Sequence, residues 1–228
     1  MASIHLPFFL LTEMGYGTPD ERQAHVAHTI AFIRKCAPFQ CRHYTLHGGL
    51  ERTNEEIPDR SIAIGYLREA LRQFLPVLQE QNASLNVELL PRNCLGNSPE
   101  ELESIVEGFP VENIGICLDV NHLNNAPEQV PQLIKRFGTR LKSLHISDYD
   151  GVDECHWLPP YGCLDWGSIM KNLREVPQDI LLIFEYYTAL QIDSWSLSRS
   201  LAVPRISSFE KTAAILESIE KINWDISF

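Results

Sequence analysis

Six polar residues stand where apolar runs of strand length end: His47 in YTLHGG, Glu88 in LNVELLP, Asp119 and His122 in IGICLDVNH, His145 in LKSLHISD, and Glu185 in LLIFEYY. Taken singly, a carboxylate or imidazole at such a point caps a helix or pairs with a neighbouring charge. Gathered at one place, Glu88, Asp119, His145 and Glu185 make a donor set of three carboxylates and one imidazole. That set suits manganese first, then magnesium or cobalt, and it admits zinc. Without a cation, inward-facing carboxylates repel one another and shift each other's pKa. The group therefore predicts a divalent-metal site.

Further imidazoles lie close by in the sequence. His5 ends the short run SIHLPF, and His122 follows Asp119 by three residues. His156 lies in the long stretch DGVDECHWLPPYGCLDW, and Asp148 follows His145 by three. With His47 they are candidates to bind substrate, to orient the metal ligands, or to hold further metals. Pro159, Pro160 and Gly162 predict an extended loop over a pocket. Asp165 reads as the N-cap of the next helix. Cys155, His156 and Cys163 match no zinc-site spacing. His25, His28 and His43 are read as structural or surface residues, and Arg92, Arg140 and Arg199 as cations that could meet a substrate phosphate.

The elements that must position these groups alternate. Strands are predicted at residues 3–10, 43–47, 85–89, 114–119, 141–146 and 180–185. Helices are predicted at 20–36, 60–81, from Ser98, at 127–137, at 165–174 and at 207–221. Thr18-Pro19 and Ser98-Pro99 carry helix-start signals, a capping residue followed by a first-turn proline. Ile64, Leu67, Leu71, Phe74, Leu75 and Leu78 form one apolar stripe. Strand then helix, repeated, predicts a parallel sheet with right-handed crossovers. In an α/β barrel the carboxyl ends of such strands converge on one mouth. Several strands read as continuous apolar runs, which predicts burial on both faces. A closed barrel needs eight units and about 250 residues, whereas six are visible here. Residues 193–204, rich in serine, are expected to be a mobile loop, and no linker divides residues 1–228 into two domains.

Composition narrows the partners. The chain has 228 residues, 44% hydrophobic and 21% charged, which suits one soluble domain with a sizeable core. A net charge of -11 and a pI near 5.2 repel polyanions, so nucleic acid is a poor partner. No apolar run reaches membrane-spanning length, and the start MASIHLPFFLLTEMG reads as a strand rather than a signal peptide. Six cysteines without paired spacing predict reduced thiols and a cytoplasmic protein.

The order IHLPF, LHGG, NVELLP, CLDVNH, LHISD, HWLPPYG, LDW and LLIFE resembles the xylose isomerase-like barrel family over nearly the whole chain. That family includes endonuclease IV and sugar isomerases and epimerases such as the ketose 3-epimerases. The resemblance implies that Glu88, Asp119, His145 and Glu185 are the shared metal ligands, with Glu88 and Glu185 also an acid/base pair. It implies that His5, His47, His122 and His156 match the extra imidazoles of a trinuclear zinc cluster in the endonuclease branch. That branch has Asp-x-His in the long loop, whereas here Asp153 precedes His156 by three, and Asp153 is a candidate for substrate or an additional metal. A loop that reads Pro-Gly-Glu-Gly in the epimerase branch reads Pro160-Tyr161-Gly162-Cys163 here.

The strand carrying His5 resembles the third of the family barrel. The two units before it, about 50–60 residues at roughly 30 per unit, are absent. A truncated chain or mis-assigned start, an open six-strand barrel, and closure by a neighbouring chain would each account for this. An open sheet is expected to expose apolar inner faces and two edges, met by homo-oligomer contacts at the gap or by a covering helix. The activity implied is metal-dependent isomerisation or epimerisation of a sugar or sugar phosphate, by proton transfer through a metal-bound enediolate. The alternatives are a metal-dependent phosphoesterase of the endonuclease IV type and a non-catalytic sugar-binding relic.

Overall fold

The computed structural model describes residues 2–7, 13–53, 59–123 and 125–185. The predicted helix at 207–221, the serine-rich stretch 193–204 and Arg199 lie outside the described residues. Six strands form one parallel sheet: β1 (Ser3–His5), β2 (His43–Leu46), β3 (Ser84–Glu88), β4 (Ile114–Asp119), β5 (Leu141–Ile146) and β6 (Leu181–Phe184). They pair in sequence order and curl into a half-barrel. Among the described residues β1 and β6 each pair on one side only.

Five α-helices are described: α1 (Pro19–Lys35), α2 (Arg60–Gln81), α3 (Pro99–Val106), α4 (Val130–Phe137) and α5 (Trp166–Glu175). Their starts follow from side-chain chemistry. The Thr18 hydroxyl accepts from Glu21 N while the Glu21 carboxylate accepts from Thr18 N, a reciprocal capping box. Asp59, Ser98 and Asp165 accept from the first-turn N–H groups of α2, α3 and α5. α2 ends where Asn82 takes a left-handed φ of 51°. Leu67, Leu71, Phe74 and Leu78 of α2 are fully buried against the sheet. Truncating Phe74 to alanine would cost about 3–5 kcal/mol, a large part of a small domain's net stability.

The sheet sorts its side chains by face. Ile4, Tyr44, Leu85 and Ile114 are register neighbours, as are Leu46 with Val87 and Leu118 with Leu144. All of these pack into the apolar core shared with the helices. The other face carries His5, Thr45, Asn86 and Gly115 in one row and Glu88, Cys117 and Ser143 in the next. This overturns the expected apolar inner face. The strands alternate, and the inner face is polar and internally bonded. Ser84 Oγ meets His43 Nδ1 at 3.0 Å and Asn86 Oδ1 at 3.1 Å, and Asn86 Nδ2 donates to Ser143 Oγ at 3.4 Å. Such a face tolerates an incompletely closed barrel far better than a wall of valines would.

No described helix is long and apolar enough to cross a membrane. None of the six cysteines, all of them among the described residues, is in a disulfide.

Candidate functional site

Each strand delivers its polar group at its carboxyl end. His5, Glu88 and Asp119 are the last residues of β1, β3 and β4, and His145 is one residue short of the end of β5. His47 and Glu185 directly follow β2 and β6, and Glu185 N still donates to Ile146 O at 3.0 Å. The turn after His47 needs glycine. A Cβ on Gly48 would lie 2.6 Å from the Leu95 carbonyl oxygen, so only glycine lets the chain pass there.

Glu88 is the hub. Its Oε1 lies 3.1 Å from His145 Nδ1, and its Oε2 lies 3.1 Å from His47 Nε2 and 3.2 Å from His5 Nε2. His145 Nδ1 also faces Glu185 Oε2 at 2.8 Å and Asp119 Oδ2 at 3.7 Å. One ligand atom from each of Glu88, Asp119, His145 and Glu185 lies within 4.8 Å of the others. His5, Glu88 and His145 satisfy the same condition as a second, overlapping group. Glu88, Asp119 and His145 are buried, whereas Glu185 is 46% exposed and opens toward solvent.

The electrostatics follow from that crowding. Burial would raise the Glu88 carboxyl, but His145 and His47 outweigh it and hold Glu88 well below the usual carboxylate range. Asp119 is likewise lowered, its burial outweighed by His122 and His145. Burial would lower His145, but Cys117, Glu88 and Asp119 raise it above the usual imidazole range. His5 and His122 are raised in the same sense, against their burial, by the carboxylates beside them. Protons on imidazoles thus balance carboxylates that would otherwise repel one another. A divalent cation fits the same gap. Asp119 Oδ1 accepts from Asn121 N at 2.7 Å, while among the described residues the buried Asp119 Oδ2 accepts no hydrogen bond. It faces the space shared with His145 and with His122 Nδ1, 3.6 Å away.

His122 and His156 form a further group with Glu154. His122 Nδ1 donates to Leu89 O at 2.8 Å, which leaves Nε2 facing Glu154 Oε1 at 3.9 Å. A carbonyl can only accept, so His156 Nδ1 donates to Glu185 O at 3.2 Å and presents Nε2. Glu154 escaped the sequence reading. The signal was the spacing Glu154-Cys155-His156, the family's acid-x-His with glutamate in place of aspartate.

Other candidates fall elsewhere. Asp148 is fully buried and accepts from Trp166 Nε1 at 2.8 Å, Tyr149 N at 3.0 Å and Leu164 N at 3.3 Å, so its carboxylate organises the long loop. Gly162 packs so tightly on it that a Cβ would stand 2.1 Å from Asp148 Oδ1. Asp153 accepts from Glu154 N at 2.9 Å and faces Arg92 at 3.7 Å, outside the three groups. Arg140 donates to Ile114 O and Phe109 O, at the amino end of β4 and away from the site. Arg92 does lie at the mouth, already ion-paired with Glu51 and Glu154, each at 2.9 Å. His28 on α1 is exposed and His43 belongs to the polar network beneath the site.

A family model described as "Xylose isomerase-like TIM barrel" matches residues 2–221. The uncharacterized protein MJ1311 of Methanocaldococcus jannaschii is 25% identical over 119 residues, 50% of this chain and 41% of that protein. The D-psicose 3-epimerase of Enterocloster bolteae is 27% identical over 125 residues, 54% of this chain and 38% of that enzyme. The matched stretches thus span less than half of these relatives. The crystal structure of a D-tagatose 3-epimerase-like protein superposes with a TM-score of 0.72 at 20% identity, over 96% of this chain and 78% of that one. That likeness concerns the fold.

Proposed function

The chain belongs to the xylose isomerase-like TIM barrel family, and on that premise we propose that it is a metal-dependent isomerase or epimerase of a sugar or sugar phosphate. The observation that carries this reading is the meeting of Glu88, Asp119, His145 and Glu185, with a buried Asp119 oxygen that accepts no hydrogen bond among the described residues. These four residues would hold the cation, with manganese as the first candidate and magnesium, cobalt or zinc as the others. When bound, it supplies Lewis-acid polarisation of a substrate carbonyl and its neighbouring hydroxyl.

The chain's own groups do the rest. Glu88, held ionised by its imidazoles, is ready to take the proton from the carbon between carbonyl and hydroxyl. Glu185, open to solvent on the other side of His145, returns a proton to the opposite face. The roles exchange in the reverse direction. His122 and His156, each with Nδ1 fixed by a carbonyl, present Nε2 to substrate hydroxyls. A sugar substrate agrees with the names of the epimerase relatives. Cysteines outside disulfides agree with a reduced, cytoplasmic setting. The single edges of β1 and β6 are where contacts with a second copy would close the barrel.

The test is exchange in deuterated water. Wild-type protein loaded with manganese should wash deuterium into the carbon beside the carbonyl of one member of a ketose and ketose-phosphate panel. Glu185→Gln should abolish it. Exchange that persists at the wild-type rate in Glu185→Gln would remove Glu185 from the chemistry.

A second reading, multi-metal phosphoester hydrolysis, is favoured by the additional His122–Glu154–His156 group. The net charge of -11 speaks against a nucleic-acid substrate but not against a small phosphate ester. Metal counting separates the two: one ion per chain supports the isomerase, three zinc ions the hydrolase.

A further inference from the structure

Among the described residues, four other than glycine have positive φ: Gln40, Asn82, Arg92 and His156. The first two close helical turns, where a left-handed residue is ordinary. Arg92 (φ 50°) stands second in the turn that Cys94 N closes on Pro91 O at 3.4 Å, whereas His156 (φ 45°) lies in no such turn. Both lie near Glu154: Arg92 Nη1 is 2.9 Å from its Oε1, and His156 shares the metal-ligand-like group that Glu154 forms with His122. Backbone held in a sparsely populated region away from caps and turns, as at His156, marks a place where the surroundings impose a geometry.

The geometry is a contest for one oxygen. Glu154 Oε1 is 2.9 Å from Arg92 Nη1 and 3.9 Å from His122 Nε2. It is buried, and the guanidinium reaches it at ion-pair distance without hydrogen-bond alignment. The same oxygen is the one that a cation between His122 and His156 would need. Arg92 is anchored from behind, where Nε donates to Glu51 Oε2 at 2.9 Å. A guanidinium stays charged at every working pH. A divalent ion on Glu154 would therefore sit beside a fixed positive charge that already neutralises its carboxylate.

We infer that Arg92 competes with a second divalent cation for Glu154, so that the His122–Glu154–His156 group is a latent cation site whose affinity Arg92 sets. The inference rests on the reading that the strand-end cluster of Glu88, Asp119, His145 and Glu185 takes the first cation. With Arg92 in place, that first cation is the one bound tightly, and the two imidazoles remain available to substrate. Arg92 is a positioning residue here, acting through Glu154.

The test is metal binding to the full chain, read without any substrate. Chelator-stripped protein is titrated with zinc by calorimetry, and bound zinc is counted by elemental analysis after gel filtration. Wild type should hold one tight ion. Arg92→Asn and Arg92→Gly, both at ease with a left-handed backbone, should take up a second ion at least about tenfold more tightly than wild type does, because a like charge has gone. Adding Glu154→Gln to either variant should remove that second ion and leave the first. Arg92→Lys should bind as wild type. A second-site affinity unchanged or weakened in Arg92→Asn and Arg92→Gly overturns the inference while leaving the first site standing. Absence of any tight ion in wild type, with Glu88→Gln making no difference, overturns the underlying metal reading and this inference with it.

Discussion

Glu88 Oε1 lies 3.1 Å from His145 Nδ1, and neither side chain is more than 3% exposed. Two strands that are not neighbours, β3 and β5, are thereby joined across the inner face at one contact. Removing the Glu88 charge leaves His5, His47 and His145 facing each other without their shared carboxylate. Glu88→Gln is expected to weaken divalent-cation binding by at least about 100-fold, the upper end of what loss of even an outer partner of a metal ligand costs. Calorimetric titration of wild type and variant with manganese or zinc measures this directly. Equal affinities would remove Glu88 from the site.

Cation affinity should also climb with pH. Burial alone would lower His145, but Cys117, Glu88 and Asp119 raise its pKa above the ordinary value of 6.5. A cation on Nδ1 must displace that proton, so apparent affinity rises by up to about tenfold per pH unit through the neutral range. Glu88 and Asp119 shift the other way, below 4.5 and 3.8, so they contribute nothing to this slope near neutrality. Stability of the cation-free protein has the opposite sign. A raised imidazole pKa stabilises the fold in full below the unfolded value of 6.5 and is lost as pH rises through the folded value. Titrations in buffers of different ionisation enthalpy count the released protons. An affinity flat between about pH 6 and pH 8 would contradict the assignment of the proton to His145.

The strand-end groups were legible because a carboxylate or imidazole that ends an apolar run of strand length is conspicuous, as in LNVE and ICLD. The strands were legible from the apolar runs themselves and the helices from their apolar stripes and caps, with α2 matching its predicted bounds of 60–81. The polar inner face was missed by reading those runs as continuous. In LNVEL the asparagine and glutamate point one way and the leucines and valine the other. Glu154 carried only the acid-x-His spacing, and Asp148, named as a candidate by its spacing from His145, gave no local sign that it organises the loop. Both lie in a loop, where no periodicity fixes direction, and their partners, Arg92 and Trp166, are set by tertiary packing.

That loop rests on Asp148. Its Oδ2 accepts from Trp166 Nε1 at 2.8 Å while Oδ1 serves Tyr149 N and Leu164 N. Asp148→Asn would set an amide N–H against one of these buried donors. The expected cost is about 1–3 kcal/mol, the penalty of an unsatisfied buried polar group. Chemical denaturation gives the stability, and limited proteolysis reports whether residues 148–166 are cut faster. A variant as stable and as resistant as wild type would show that the loop is held by its prolines and apolar contacts instead.

Two glycines test whether the turn after β2 matters to the site rather than to the fold at large. A Cβ on Gly48 would meet the Leu95 carbonyl oxygen at 2.6 Å, a backbone atom that cannot swing aside. Gly48→Ala must therefore push the chain away from Leu95, and His47 with it, off its 3.1 Å contact with Glu88. Gly65 lies inside α2 with nothing within 4 Å of the place its Cβ would take. Gly65→Ala should stabilise the protein by about 0.5–1 kcal/mol through the entropy of the unfolded chain and leave cation binding unchanged. Gly48→Ala should lower both stability and cation affinity. Thermal melts with and without cation separate the contributions, because a site effect shrinks the cation-induced rise in Tm whereas a purely structural one lowers both melts equally.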